Sequence, residues 1–139
     1  MIILDTNVLS ALMIQRPELA VASWIDRQPR TSIWTTSITI FEIRYGLASM
    51  LAGRRRTERT LQFERAIEEK LEVRVLPFDQ AAAEEAAILM ATRQHSGRIG
   101  EVRDTMIAGI ALSQRATLAT RNVKHFDDLS VPVVNPWHG

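Results

Sequence analysis

The sequence predicts an α/β fold: one parallel sheet of about five strands, covered on both faces by helices in three layers. Two observations carry this expectation. The opening Ile2-Ile3-Leu4 is a short unbroken apolar run, which suits a strand buried on both faces, and it breaks abruptly at Asp5-Thr6-Asn7. Four further short segments rich in β-branched residues, 31–36, 73–76, 117–120 and 131–135, recur along the chain with helical patterns between them. Strands that alternate with helices imply parallel pairing and right-handed crossovers.

Length and composition bound the answer. The 139 residues are read as a single domain, 1–139, long enough to bury a core. Apolar residues make up 46% and charged residues 24%, as expected of a globular protein. A formal charge of +1 provides no global field for nucleic acid, so any basic surface must be local. Cysteine is absent, which excludes disulfides and thiolate metal sites and fits a cytoplasmic location. No charged leader precedes the first apolar run, and no stretch approaches the roughly 20 apolar residues of a membrane span.

The elements are expected in this order. After the first strand, residues 8–14 form a short helix. Pro17 opens the next, whose stripe is Val21, Trp24 and Ile25, and Pro29 ends it. Residues 37–51 read as a helix with Phe41, Tyr45 and Ala48 on one apolar face, broadened by Ile40, Ile43 and Leu47, and with Gly53 closing it. Phe63, Ile67 and Leu71 recur every four residues and predict the second half of a helical hairpin. Asp79 is placed to cap an alanine-rich helix with Ala83, Ala87 and Met90 inward, ending near 95–97. A loop over 97–100 leads to a helix over about 101–115 with Val102, Met106 and Ile110 inward.

Three acids stand at suggestive places. Asp5 follows strand one, Glu42 lies in the first turns of the helix after strand two, and Asp104 lies in the first turns of the helix before strand four. Open α/β sheets gather strand ends and helix starts at one edge, where their sites lie. Carboxylates collected there without basic partners repel, and a hard cation such as Mg²⁺ or Mn²⁺ removes that repulsion. Each acid also has a structural role open to it. Asp5 suits an N-cap, Glu42 completes a capping-box pattern from Thr39, and Asp104 complements a helix dipole. Spacing alone does not choose between the two.

The motifs do. Ile3-Leu4-Asp5-Thr6-Asn7-Val8-Leu9-Ser10 resembles the opening of the PIN-domain family. The segments 36–46, Arg103-Asp104-Thr105-Met106-Ile107-Ala108 and Leu118-Ala119-Thr120-Arg121-Asn122 resemble its second, third and fourth motifs. The closing Val134-Asn135-Pro136-Trp137 is similar to the VapC/FitB branch, toxins of type II toxin–antitoxin systems. This resemblance implies a metal-dependent endoribonuclease, using Mg²⁺ or in its place Mn²⁺, acting on RNA with transfer RNA as one candidate. It also implies a homodimer, neutralised by a VapB- or FitA-like antitoxin through which alone it meets operator DNA.

Asp5, Glu42 and Asp104 match the family's metal-binding acids. Asn122 stands where the fourth motif often has another Asp, so a tight second metal site is not expected; Asp127 is the alternative fourth ligand. Thr6, Asn7, Ser37 and Thr120 are suited to orienting ligands or waters. Arg98, Arg103, Arg121 and Lys124 flank motifs three and four and are candidate contacts to RNA phosphate or to the antitoxin. The Arg54-Arg55-Arg56 cluster reads as a solvated helix face, and His95, His125 and His138 as surface histidines. Two other readings remain open. One is a catalytically weak subunit of an antitoxin-linked DNA-binding complex, suggested by Asn122. The other is a phosphatase of the haloacid-dehalogenase type, which places a second Asp where this chain has Asn7.

Overall fold

The sheet is assembled around its first strand. The computed structural model describes residues 1–138. Strand β1 (Ile2–Leu4) lies between β2 (Ile33–Thr36) and β4 (Thr117–Ala119), and β3 (Val75–Leu76) and β5 (Val133–Val134) extend the edges. The order is β3-β2-β1-β4-β5, with every neighbouring pair parallel. Ile3 faces one layer while Leu4 faces the other, the alternation that strand geometry imposes.

Helices α1 (Thr6–Met13), α2 (Leu19–Asp26), α3 (Ser37–Ser49) and α4 (Arg54–Arg65) bury Val8, Leu9, Leu12, Val21, Trp24, Ile43, Leu47 and Phe63 against one face. Helices α5 (Gln80–His95) and α6 (Val102–Gln114) bury Leu89, Ile107, Ile110 and Phe126 with Ile3 and Leu118 on the other. The three expected layers are present. Asp79 caps α5 as predicted, accepting from the Ala82 amide. No helix among the described residues is long and apolar enough to cross a membrane.

Several local expectations are corrected. Phe41 and Tyr45 are 55% and 60% exposed, and α3 instead buries Thr39, Ile43 and Leu47. Helix α5 turns Ala82, Ala86, Leu89 and Arg93 inward rather than Ala83, Ala87 and Met90, because alanine on every side leaves no contrast to mark the buried stripe. In α6, Val102 is exposed, and Thr105, Ile107, Ala108, Ile110 and Ala111 are packed. Gly109 allows α5 and α6 to touch: a Cβ there would lie 2.5 Å from the Ala82 carbonyl oxygen. Gly53 does not close α3, which ends at Ser49, but precedes α4 with φ of 154°. The second strand starts later than expected because residues Arg30–Ser32 form a 3₁₀ turn.

Candidate active site

The strand order reverses beside β1, since the chain runs from it through β2 to β3 on one side and then crosses to β4 and β5 on the other. Its carboxyl end therefore opens into a crevice flanked by the ends of both neighbours. Asp5 sits there, 3% exposed. Its carboxylate accepts from the Thr6 amide (2.8 Å), the Thr120 hydroxyl (2.7 Å) and, at 3.4 Å, the Asn7 amide group. Burial pushes its pKa up to about 6; the Thr120 and Thr6 bonds oppose the rise, while the nearby charges of Asp104 and Glu42 add to it. Asp5 is thus both the cap of α1 and a carboxylate facing two others.

Glu42 does not close the capping box on Thr39. The cap of α3 is Thr36, whose Oγ1 accepts from the Thr39 amide. Glu42 accepts instead from the Thr6 hydroxyl at 2.9 Å. The Thr36 hydroxyl donates to Thr39, and the Thr39 and Thr6 oxygens lie 3.1 Å apart, so a file of hydroxyls leads to the Glu42 carboxylate. Asp104 stands in the first turn of α6, its amide bonded to the capping Glu101 side chain. Its Oδ2 lies 3.2 Å from His125 Nδ1. Burial raises its pKa, countered by the His125 bond and reinforced by the Glu101 charge.

The remaining predicted residues divide. Thr120 and Asn7 lie at the acids, and the Asn7 side chain also accepts from the Arg121 amide. Ser37 is committed elsewhere, accepting from the Phe78 amide. Asn122 follows Thr120 in an exposed turn, its amide bonded to the Thr120 hydroxyl. Asp127 is paired with Arg98 at 2.8 Å rather than turned to the acids. Arg103 pairs with Glu101, and Arg121 lies over the Trp137 ring at 4.6 Å, leaving Lys124 as the candidate base without a side-chain partner among the described residues.

Two residues have parts that the sequence does not mark. His125 is a surface histidine, as expected, and it also meets Asp104. Arg93 carries no motif, and it is 3% exposed. Its guanidinium bonds both Asp128 oxygens at 2.8 Å, the His125 carbonyl at 2.9 Å and the Thr105 hydroxyl at 3.3 Å. It fastens α5 to α6 and to the turn that carries His125. Gly100 leaves room for it: a Cβ there would lie 2.9 Å from the guanidinium. The inward stripe of α5 ending at residue 93, with glycine seven residues later, was the available signal.

The donor chemistry fits a hard divalent ion. All three acids offer oxygen, and Asp5 is destabilised as an anion by its burial and by its two neighbours. Each carboxylate is turned toward a protein partner, and among the described residues no three acidic or histidine side chains converge as a closed ligand set.

A PIN-domain family model matches residues 2–131. The chain belongs to the PIN-domain family. This PIN domain is 40% identical to the VapC ribonuclease Y4jK of Sinorhizobium fredii over 137 residues, 99% of this chain and 98% of that protein. It is 33% identical to toxin FitB of Neisseria gonorrhoeae over 138 residues, 99% of each. Among solved structures it superimposes on a chain of FitAB bound to an IR36 DNA fragment with a TM-score of 0.88 and 32% identity, covering 100% of this chain and 97% of that one. A DNA-bound VapBC from Salmonella typhimurium gives 0.79 and 27%, covering 97% of each. Membership of the PIN-domain family removes the haloacid-dehalogenase alternative.

Proposed function

We propose that this PIN domain is an endoribonuclease toxin of a type II toxin–antitoxin pair, working in the cytoplasm. What supports the reading is the buried Asp5 at the crevice where the strand order reverses, within reach of the charges of Asp104 and Glu42, in a chain similar end to end to a VapC ribonuclease. Asp5, Glu42 and Asp104 would hold Mg²⁺ or Mn²⁺. When bound, the ion activates water and neutralises charge on the phosphate being attacked. The protein's own contribution is placement. Thr120 and Asn7 hold the Asp5 carboxylate, Thr6 holds Glu42, and the His125 ring holds Asp104. Carboxylates held in place in this way would keep a bound ion in position without reorganisation as charge develops on the phosphate.

A partner surface adjoins this site. A groove of about 740 Å³ between α1, α3 and α4 runs from Thr6 and Glu42 past Met13, Leu47 and Met50 to Arg55 and Arg59. Its apolar floor, edged by Arg55 and Arg59 and by Glu42 and Glu58, suits an amphipathic antitoxin helix with charged flanks. Operator DNA is reached through that antitoxin; the DNA-bound relatives above support this order of contacts.

The test is cleavage by the purified, antitoxin-free chain with Mg²⁺, Mn²⁺ or EDTA, beginning with transfer RNA and mapping new 5′ ends. Asp5→Asn, Glu42→Gln and Asp104→Asn should each abolish cleavage while leaving the circular dichroism spectrum unchanged. Absence of cleavage by the unmodified chain across total cellular RNA would favour the catalytically weak regulatory subunit.

A further inference from the structure

A cavity opens on the Asp104 side of the site, and its occupant has not been described so far. It measures about 360 Å³ and is lined by Arg93, Arg98, Lys124 and His125 and by the acids Glu101, Asp104 and Asp127, between the loop before α6 and the turn Val123–Phe126. That volume is within the range of ligand pockets, which begin at about 300 Å³. Its walls are held firmly. Arg98 donates to the Lys124 carbonyl and Arg93 to the His125 carbonyl, so two guanidinium groups fix the turn from within.

Most charged groups around the cavity are already engaged. Asp128 and Asp127 are taken by Arg93 and Arg98, Glu101 by Arg103, and the Asp104 carboxylate lies against a His125 ring nitrogen. Among the described residues, Lys124 is the lining cation with no side-chain partner, and so the one free to meet a phosphate. The His125 ring is 58% exposed, with one edge anchored on Asp104, leaving ring surface for stacking. An unmatched ammonium, exposed ring surface and a carboxylate of the acid cluster thus share one cavity.

We propose that this cavity is the subsite for the nucleotide adjoining the scissile phosphate of a single-stranded RNA segment. Lys124 contacts its phosphate, and the His125 ring packs against its base. The proposal rests on the ribonuclease reading, since it is the position beside the acids that makes the bound phosphate a neighbour of the one cleaved. Lys124 lies on an exposed turn, so its replacement leaves the fold intact.

The test uses a fluorescent single-stranded RNA oligonucleotide in EDTA, where no divalent ion is present to activate water and binding is read without cleavage, and the antitoxin-free chain. Lys124→Ala should weaken binding about tenfold at low salt, as expected for one charge-assisted contact. It should also reduce the slope of log affinity against log salt by about 0.7, the value for one phosphate of a single strand. In cleavage assays KM should rise with kcat nearly unchanged, and Lys124→Arg should restore both binding and KM. A 4-thiouridine beside the cleavage position should crosslink to residues 98–101 or 123–126. Unchanged affinity and salt slope in Lys124→Ala, with crosslinks instead near Arg55 and Arg59, would overturn the subsite while leaving the nuclease standing. Loss of antitoxin binding alone, with oligonucleotide binding intact, would overturn it in favour of a protein occupant. Lys124-dependent oligonucleotide binding by a chain that cuts no RNA would keep the nucleotide site and remove the nuclease reading.

Discussion

Asp5 carries an electrostatic burden that pH can release. Its pKa in the folded chain is about 6, above the ordinary 3.8, chiefly because it is buried. A raised acid contributes stability that is complete below pH 3.8 and is lost as pH rises through about 6. Without divalent ions, the chain should therefore lose up to about 3 kcal/mol from this group between pH 4 and pH 7. Asp5→Asn should melt higher than the unmodified protein at pH 7.5 in EDTA, and the gap should close near pH 4. Mn²⁺ should raise the unmodified melting temperature and leave that of Asp5→Asn little changed. A variant that melts lower at pH 7.5 would make Asp5 a cap before anything else. Asn122 makes the complementary case. It adds no negative charge next to Thr120, so the free chain should bind one Mn²⁺, and Asn122→Asp should create a measurable second site without RNA. Calorimetric titration compares the two, and two equal sites in the unmodified chain would contradict this account.

Among the elements, the contact between α5 and α6 is the support on which the Asp104 side of the site rests. Arg93 crosses it as a buried cation, and cutting it to Met should cost about 3 kcal/mol, since a buried pair would lose one partner. The Arg93 bond holds Asp128 below the usual carboxylate range. A depressed acid gives stability that is present above its unfolded pKa and lost as pH falls through the folded value, so Arg93→Met should also flatten the acid limb of the stability curve. Urea unfolding at several pH values measures both effects. These same elements show what a sequence can and cannot disclose. Strand β1 and Asp5 were legible because a three-residue apolar run ending in an acid is a purely local pattern. The acids at 42 and 104 became legible as a set only through motif resemblance. Arg93 was hidden because a charged residue on a helix reads as solvent-facing, and His125 because its meeting with Asp104 depends on a 3₁₀ turn that no local pattern marked. The face of α3 was misread because its large aromatics point outward.

At the scale of the molecule, those outward aromatics have a use. Phe41 and Tyr45 lie side by side with ring centroids 6.3 Å apart on an exposed helix face, more apolar surface than one small core requires. The chain should therefore sediment as a homodimer at micromolar concentration. Phe41→Glu with Tyr45→Glu should give monomers without lowering the melting temperature of the individual domain. A monomer throughout in the unmodified protein would place the antitoxin, rather than a second copy, on this face.

The central position of β1 also imposes a timetable. Asp5 is made well before the group that holds its carboxylate, the Thr120 hydroxyl, which comes 115 residues later. At about 5–20 residues per second, translation separates the two by on the order of ten seconds. During that interval β1 can pair with β2 but has no β4 beside it, and α6 with Asp104 has yet to emerge. A nascent chain stalled before residue 104 lacks one acid outright, and one stalled before residue 120 lacks the group that orients another. An acid set spread along the chain in this way is complete only late in synthesis, and an antitoxin synthesised alongside it has that interval in which to arrive.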